Sequence, residues 1–376
     1  MNKVAVLGAG NGGLSMGAYL SLRGCSVHVF DKFPAAIEDI QAAGGVTLKG
    51  VSLTGFAKFD VITTSIPEVM DGCDVILVVT PAFAHRELAT KMAPYLTKGQ
   101  KVILNPGRTA GALEFYLTAK DVNPEADFIV AETQSLIYAC RKTGAAEVTI
   151  YKVKKEMELA ALPAYKTKEI LAEMLPYYPQ FIAAENVLET SFLNIGAIFH
   201  PTPALLNIAR IEGKDLFEYY MDGITPCVSN VLERIDAERV AVASALGIET
   251  MTCIEWLEDV YEIPHMDGTS IYEAVQKQEG YRGIEAPKNP FARYISEDVP
   301  MSLVPLAEFG RIVGVPTPTM NLMIDLANLV HKTDYRERGR TLARLKLEGV
   351  SVEDLKKFVT DGTPFPKDVE KGREIA

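Results

Sequence analysis

Apolar residues fall in two rhythms along the chain, and the change between them divides it. In the first half, short apolar and β-branched runs recur at 3–7, 26–30, 74–80, 101–105 and 128–131. Segments such as 86–96, with apolar residues at helical spacing, separate them. Strands alternating with helices predict a doubly wound parallel sheet. A further strand is expected at 148–153, a helix at 167–175 and a short crossing segment at 180–184. From about Glu185 onward, apolar residues recur at three- and four-residue intervals over 217–245, 301–313 and 320–330. That period predicts helices packed together. The fold expected is α/β: an N-terminal doubly wound (Rossmann) domain over 1–183, then an all-α domain over 184–376.

The first strand runs into Gly8-Ala9-Gly10-Asn11-Gly12-Gly13. Gly8, Gly10 and Gly13 have the spacing that receives a dinucleotide pyrophosphate when it joins a strand to a helix. Gly8 permits the sharp turn, Gly10 leaves room for the diphosphate, and Gly13 lets the helix beginning near Gly12 pack closely on the strand. The helix N-terminus then faces the anion. Gly8, Gly10, Asn11, Gly12 and Gly13 are therefore expected to hold the cofactor. The second strand ends at Asp31, whose carboxylate can accept from both adenosine ribose hydroxyls and would repel a 2′-phosphate, favouring NAD over NADP. Lys32 could partly offset that repulsion or be a solvated surface lysine. Loops after parallel strands line the ligand cleft. Thr80-Pro81-Ala82-Phe83-Ala84-His85 and Asn105-Pro106-Gly107-Arg108-Thr109-Ala110-Gly111 read either as loops around a nicotinamide, with Thr80 and Pro81 touching it, or as plain connections.

Charge narrows the partners. The 376 residues carry 38 lysines and arginines against 49 acids, a formal charge of −11, so there is no basic field for nucleic acid or an anionic membrane. Any anionic substrate must be held by local cations. The longest apolar stretch, 75–84, is far too short to span a bilayer, and a strand starting at once leaves no room for a signal peptide. Cys25, Cys73, Cys140, Cys227 and Cys253 are scattered without a C-x-x-C, and no histidines cluster. This suits reduced packing thiols in a cytoplasm and argues against a zinc site.

Of five histidines, His28 falls inside a strand, His85 in a cleft-side loop, His265 in a polar loop and His331 near an exposed helix end. His200 differs. It ends an apolar helical run, 187–199, and Pro201-Thr202-Pro203 follows, so the helix should break or kink there and leave the ring facing the space between the domains. A catalytic ring and one satisfied by a freed helix-end carbonyl fit equally well. A second cluster is Arg293-Tyr294-Ile295-Ser296-Glu297-Asp298-Val299-Pro300. A carboxylate there could orient His200 and favour its charged form, while Arg293 could clamp a substrate carboxylate. The plainer alternative is a helix cap by Asp298 and a surface ion pair by Arg293.

Gly8 to Gly13, Glu132-Thr133-Gln134-Ser135-Leu136-Ile137-Tyr138-Ala139-Cys140-Arg141, His200-Pro201, and Glu297-Asp298-Val299-Pro300 with Leu303-Val304-Pro305 together resemble the octopine and nopaline dehydrogenases, the opine dehydrogenase family. The resemblance spans most of the chain. It implies a helical second domain like that of 6-phosphogluconate dehydrogenase, carrying the substrate and catalytic residues, and NAD, with NADP as the other option. It implies a catalytic pair at His200 and Asp298, with Arg293, five residues before the aspartate, binding substrate. Arg141 either contacts substrate, links the domains or is structural. The implied reaction condenses an amino acid with a 2-oxo acid such as pyruvate and reduces the imine. Ser302, where the family often has glycine, and Ile137, where it often has proline, depart from the pattern and leave substrate choice open. Tyr281, Arg282 and Met266 are further pocket candidates.

Two other readings remain. One is a reductase of a simple 2-oxo or 3-hydroxy acid, similar in plan to ketopantoate reductase or glycerol-3-phosphate dehydrogenase. Those use a central lysine, whereas Lys214 here follows Glu212-Gly213 in what reads as an exposed turn. The other is a non-catalytic NAD-binding sensor, which holds if His200 and Asp298 do not meet. Apolar helical faces suggest a homodimer.

Overall fold

The computed structural model describes residues 2–261 and 268–366. His265 and Met266 lie outside the described residues. The chain divides into two compact units, Met1–Thr190 with Lys357–Pro364, and Ser191–Lys356 with Phe365–Ala376. The compact units divide at 190/191, seven residues after the expected join at 183/184. A C-terminal stretch also returns to the first unit, where the Phe358 ring meets Tyr116 edge-on at 5.8 Å. A short amphipathic segment far along the sequence carries no signal of that return.

The strands are β1 (Lys3–Leu7), β2 (Ser26–Phe30), β3 (Gly45–Gly50), β4 (Gly55–Lys58), β5 (Val61–Thr63), β6 (Val75–Val78), β7 (Gln100–Leu104), β8 (Phe128–Thr133), β9 (Tyr138–Gly144), β10 (Glu147–Val153), β11 (Met157–Leu162) and β12 (Phe181–Ala183). Eight form one sheet in the order β12-β11-β8-β7-β6-β1-β2-β5. Central strands such as β6 and β8 are buried throughout, which is why they read as continuous apolar runs. From β5 to β8 every pairing is parallel. Two neighbours leave β1 in opposite directions, so its carboxyl end is the switch point where such folds bind ligands.

Two features correct the all-parallel expectation. Strand β11 runs antiparallel to β8, with Leu159 opposite Thr133 and Leu162 opposite Val130. The strand expected at 148–153 is β10, which joins a separate sheet in the order β4-β3-β10-β9. Helix α1 (Asn11–Leu22) packs on strands of both sheets. That accounts for its lack of a polar face: Gly12, Gly13, Leu14, Ser15, Met16, Gly17, Ala18 and Leu20 are all buried. The rest of this unit's helices are α2 (Pro34–Ala43), α3 (Ile66–Met70), α4 (His85–Met92), α5 (Gly111–Val122) and α6 (Thr167–Met174).

The second unit is helical: α7 (Val187–Phe192) leads into it, then come α8 (Gly196–Phe199), α9 (Pro201–Leu206), α10 (Ile208–Glu212), α11 (Pro226–Ala245), α12 (Cys253–Tyr261), α13 (Ile271–Gln276), α14 (Arg293–Ser296), α15 (Val304–Val313), α16 (Pro318–His331) and α17 (Tyr335–Arg338), and α18 (Val352–Asp361) leads from it back to the first unit. Expected helix 217–245 begins only at Pro226. Thr225 caps it by accepting from Val228 N, and Pro226 suits the first helical position. The run 187–199 is two helices, and 301–313 is α15 preceded by a π-helical turn, Val299–Leu303.

Helix α11 packs against α8, α9, α13, α15 and α16. On it Arg239, fully buried, donates through Nε and Nη2 to Asp236 Oδ1 at 3.0 and 2.7 Å, and through Nη1 to the Phe192 carbonyl and Thr250 Oγ1. Asp236 Oδ2 also accepts from Cys253 N at 2.7 Å. Deleting the cation strands a buried carboxylate. Arg239→Met should cost ~3–5 kcal/mol in urea unfolding monitored by circular dichroism. A loss below about 1 kcal/mol would show the network to be dispensable.

Candidate active site

The glycine loop behaves as its spacing requires. Gly8 has φ +114° and its amide donates to Phe30 O at 2.7 Å. A Cβ on Gly13 would lie 1.8 Å from Gly8 O, so α1 can approach β1 this closely only with glycine there. A Cβ on Gly10 would meet nothing within 4 Å, leaving open space beside the first turn of α1, whose N-terminus has no side-chain cap. Uncapped amides beside open space fit a diphosphate. Asn11 is held to the second sheet, its Oδ1 accepting from Lys142 N at 2.9 Å. Gly12 faces Leu136 and Val79, either of which a Cβ would approach to within 3.0 Å.

Asp31 ties the loop to β2. Its Oδ2 accepts from Ala9 N at 2.9 Å and its Oδ1 from Phe33 N at 3.0 Å. Each oxygen keeps a lone pair for a ribose hydroxyl. Lys32 is occupied by an ion pair with Glu87 at 3.0 Å. Thr80 and Pro81 follow β6, the neighbour of β1, and a Cβ on Gly8 would lie 3.0 Å from Thr80 Cγ2. Thus Thr80 abuts the glycine turn. His85 is fully buried at the start of α4.

The second loop, 105–111, is strained, with Arg108 and Ala110 both at φ 60°. Buried Glu132 braces it: Oε2 accepts from Ala112 N at 2.7 Å, Oε1 accepts from Thr190 Oγ1 at 2.7 Å, and Gly107 lies too close to it for any Cβ. Part-buried Lys154 supports the following residues by donating to Ser135 Oγ at 2.7 Å. Desolvation pushes its ammonium down to about 8, with Glu158 opposing and Arg108 and Lys152 adding to the fall. Arg141 stands exposed on β9 and donates to its neighbour's carbonyl, Cys140 O, at 2.8 Å. It belongs to the first unit, whereas His200, Arg293 and Asp298 belong to the second.

In the second unit His200 Nδ1 lies 3.0 Å from Asp298 Oδ2. The His200 side chain is 21% exposed and that of Asp298 only 1%. His200 joins α8 to α9 with φ −95° and ψ −61°, so the helix is interrupted there, as expected, while His200 itself keeps helical geometry. Pro201 and Pro203 lack amide protons, which loosens this turn. Tyr219 donates from Oη to His200 O. Burial holds that phenol well above its ordinary pKa, so it remains a donor. The Tyr294 ring stacks on His200, centroids 4.6 Å apart and 13° from parallel.

Arg293 donates from Nε to Glu297 Oε2 at 2.6 Å, and Nη2 lies 2.5 Å from the same oxygen. Its side chain is 60% exposed while Glu297 is buried. The expected alternatives are thus both present in part: Arg293 forms an ion pair, yet still offers a guanidinium edge to solvent. Asp298 makes no capping bond. Tyr294 and Glu297 were missed as site residues, although Arg293 and Glu297, and Tyr294 and Asp298, stand at i,i+4 in the sequence, the spacing of neighbours on one helical face.

Other candidates take structural places. Tyr281 is buried and stacked on Tyr220, and exposed Arg282 pairs with Glu279. His28 faces Val69 O. His331, expected near an exposed helix end, is buried, between Tyr335 Oη at 2.6 Å and Pro290 O at 3.1 Å. All five cysteines are free, but Cys227 is exposed rather than packed. Among the described residues no group of three metal-ligating side chains forms, and no helix is long and apolar enough to cross a membrane.

Two tests follow from this geometry. Gly10→Ala should fold with an unchanged melting temperature and bind NADH at least about tenfold more weakly by fluorescence titration. Gly13→Ala should lose binding together with ~1–3 kcal/mol or more of stability. Equal effects of the two on stability would refute the assignment. For Lys154, the unfolded chain binds more protons than the native one between about pH 8 and the usual lysine range, so stability from this site rises with pH there. The unfolding free energy of the native protein, relative to Lys154→Met, should rise by about 2 kcal/mol from about pH 8 to about pH 10 in urea titrations. A flat difference would refute the depressed ammonium.

Known proteins resemble the chain in sequence and in fold. The profile of the alpha-helical domain of the NAD/NADP octopine/nopaline dehydrogenases matches residues 183–331, and that of ketopantoate reductase matches 4–105. The opine dehydrogenase of Arthrobacter sp. (strain 1C) is 42% identical over 355 residues, covering 94% of this chain and 98% of the relative. The octopine dehydrogenase of Pecten maximus is 23% identical over 357 residues, or 86% and 88% of the two chains. A solved octopine dehydrogenase with NADH and L-arginine matches with a TM-score of 0.78 at 20% identity, over 96% of this chain and 98% of that one. A yersinopine dehydrogenase with NADP+ matches with 0.75 at 13% identity, over 96% and 98%. These two structures share the fold, and the Arthrobacter identity, across nearly the whole of both chains, shows the family. The chain belongs to the octopine/nopaline, or opine, dehydrogenases, and is an NAD(P)-dependent oxidoreductase.

Proposed function

We propose that the protein joins the amino group of an amino acid to the carbonyl carbon of a 2-oxo acid such as pyruvate, and reduces the product to a secondary amine dicarboxylate. The observation that carries this reading is the His200–Asp298 pair at 3.0 Å, with the partly exposed Arg293 guanidinium on the same short stretch of chain as the aspartate. Condensation expels the carbonyl oxygen as water and leaves a C=N bond. Reduction then adds a hydride to carbon and a proton to nitrogen. When bound, the nicotinamide supplies the hydride.

The chain's own groups handle charge and protons. With Nδ1 turned to the carboxylate, Nε2 of His200 is the nitrogen left to exchange a proton with substrate. Buried Asp298 stabilises positive charge on the ring while the proton is held there. Arg293, its Nε and Nη2 already set by Glu297, presents its remaining edge to a substrate carboxylate. In the oxidative direction His200 accepts the proton. Asp31, bonded to the glycine loop while Lys32 is paired with Glu87, supports NAD over NADP. Five free thiols support a cytoplasmic enzyme. Leu322 and Leu329, 64% and 77% exposed on α16, support a homodimer, which sedimentation would show as twice the chain mass.

The test is NADH absorbance with pyruvate and each amino acid in turn. Oxidation should require both substrates, fall at least ~100-fold in His200→Ala, and run faster with NADH than NADPH. Oxidation with the oxo acid alone would instead establish a simple 2-oxo acid reductase. No oxidation by protein shown to bind NADH would leave the sensor reading.

A further inference from the structure

The His200–Asp298 pair uses one carboxylate oxygen, and the other is also engaged. Ser302 Oγ lies 3.5 Å from Asp298 Oδ1. Ser302 is wholly buried and sits in the π-helical turn Val299–Leu303 that follows the aspartate. A serine inside a helix ordinarily turns its hydroxyl back to the carbonyl four residues earlier. Here it turns to the side chain of the residue four earlier instead. Asn194 Nδ2 approaches Ser302 Oγ at 2.9 Å, and Asn194 is buried as well.

The direction of this chain follows from the groups in it. An amide nitrogen can only donate, so the serine oxygen accepts from Asn194, and its single proton is left for Asp298 Oδ1. Asn194 lies six residues before His200, and Ser302 four after Asp298. The two segments that carry the pair are thus joined by two rungs, His200 to Asp298 and Asn194 to Ser302, and the Ser302 hydroxyl links the second rung to the Asp298 carboxylate. An aspartate's terminal torsion is broad and poorly fixed by sterics. A hydrogen bond on the far oxygen is what can hold it.

We propose that Ser302 and Asn194 are positioning residues for this site, fixing the rotation of the Asp298 carboxylate so that Oδ2 meets His200 Nδ1 and Nε2 is left for the substrate. The proposal rests on the opine-forming reading for its kinetic consequence but not for its geometry. Ser302→Ala removes the proton with little change in volume, Ser302→Thr keeps the hydroxyl, and Asn194→Ala cuts the relay at its other end.

Two readouts run in parallel on the full chain. One is the downfield proton resonance of His200 Nδ1–H in histidine-labelled protein without substrates; the other is steady-state kinetics. Ser302→Ala should broaden or lose the resonance and lower kcat about tenfold or more, with KM for both substrates within about threefold. Ser302→Thr should retain both, and Asn194→Ala should follow Ser302→Ala. An unchanged resonance and kcat in Ser302→Ala overturns the proposal. Should that variant fail to fold, an unchanged resonance in Asn194→Ala overturns it equally. If the native protein turns over no pair of amino acid and 2-oxo acid, the reaction assigned above fails, and the resonance still decides the relay.

Discussion

A carboxylate taken out of water must be met by donors, and much of this protein is arranged around that requirement. Glu132, buried in the first unit, draws Ala112 N and the Thr190 hydroxyl to itself and so shapes the strained loop after β7. In the second unit Asp236 is met by Arg239 and Cys253 N, and Glu238 accepts from Thr319 N and Met320 N at the start of α16. Glu297 and Asp298, adjacent and both buried, are answered by Arg293 and by His200 with Ser302. Glu132, Asp236, Glu238 and Asp298 each organise a donor far away in sequence, whereas Glu297 is met by Arg293 at i−4. Those at 297 and 298 engage the two side chains proposed to handle charge and protons.

That adjacency explains why one short segment can serve two functions. Consecutive residues on a helical turn point about 100° apart, so Glu297 and Asp298 cannot address the same partner. Glu297 faces back along its own helix to Arg293, at i−4, whereas Asp298 faces α8 and α9, where His200 lies. The π-helical turn at Val299–Leu303 widens the backbone just after the aspartate and brings Ser302 onto its second oxygen.

The parts legible in the sequence are those whose signal is local. Gly8, Gly10 and Gly13 stand out because their roles depend on a strand and helix that adjoin them, and His200 because two prolines within three residues force a loosened helix. What escaped depends on distant partners. Strand β10 reads as a strand, but nothing in Glu147–Val153 tells that it pairs with β3 and β9 rather than joining the main sheet. The antiparallel β11 is likewise a matter of topology, since its apolar run suits either direction. His331 reads as exposed by its place at a helix end, yet Tyr335 and Pro290 close over it. Tyr294 was in plain view, but its stacking on a ring 94 positions away is a tertiary fact.

The charge of the whole chain sets how substrate recognition must work. A formal charge of −11 gives no long-range attraction to 2-oxo acids or to amino acids through their carboxylates, and beyond about 8 Å such fields are screened in physiological salt. Discrimination therefore rests on contacts. Arg293 carries its charge already half-answered by Glu297, and this has two consequences. The guanidinium is held in one orientation, so less side-chain entropy is lost when a carboxylate arrives. The net attraction to an anion is also weaker than that of an isolated arginine. In the role proposed for Arg293, a cation that is firmly oriented and only partly unmet suits the release of a product bearing two carboxylates.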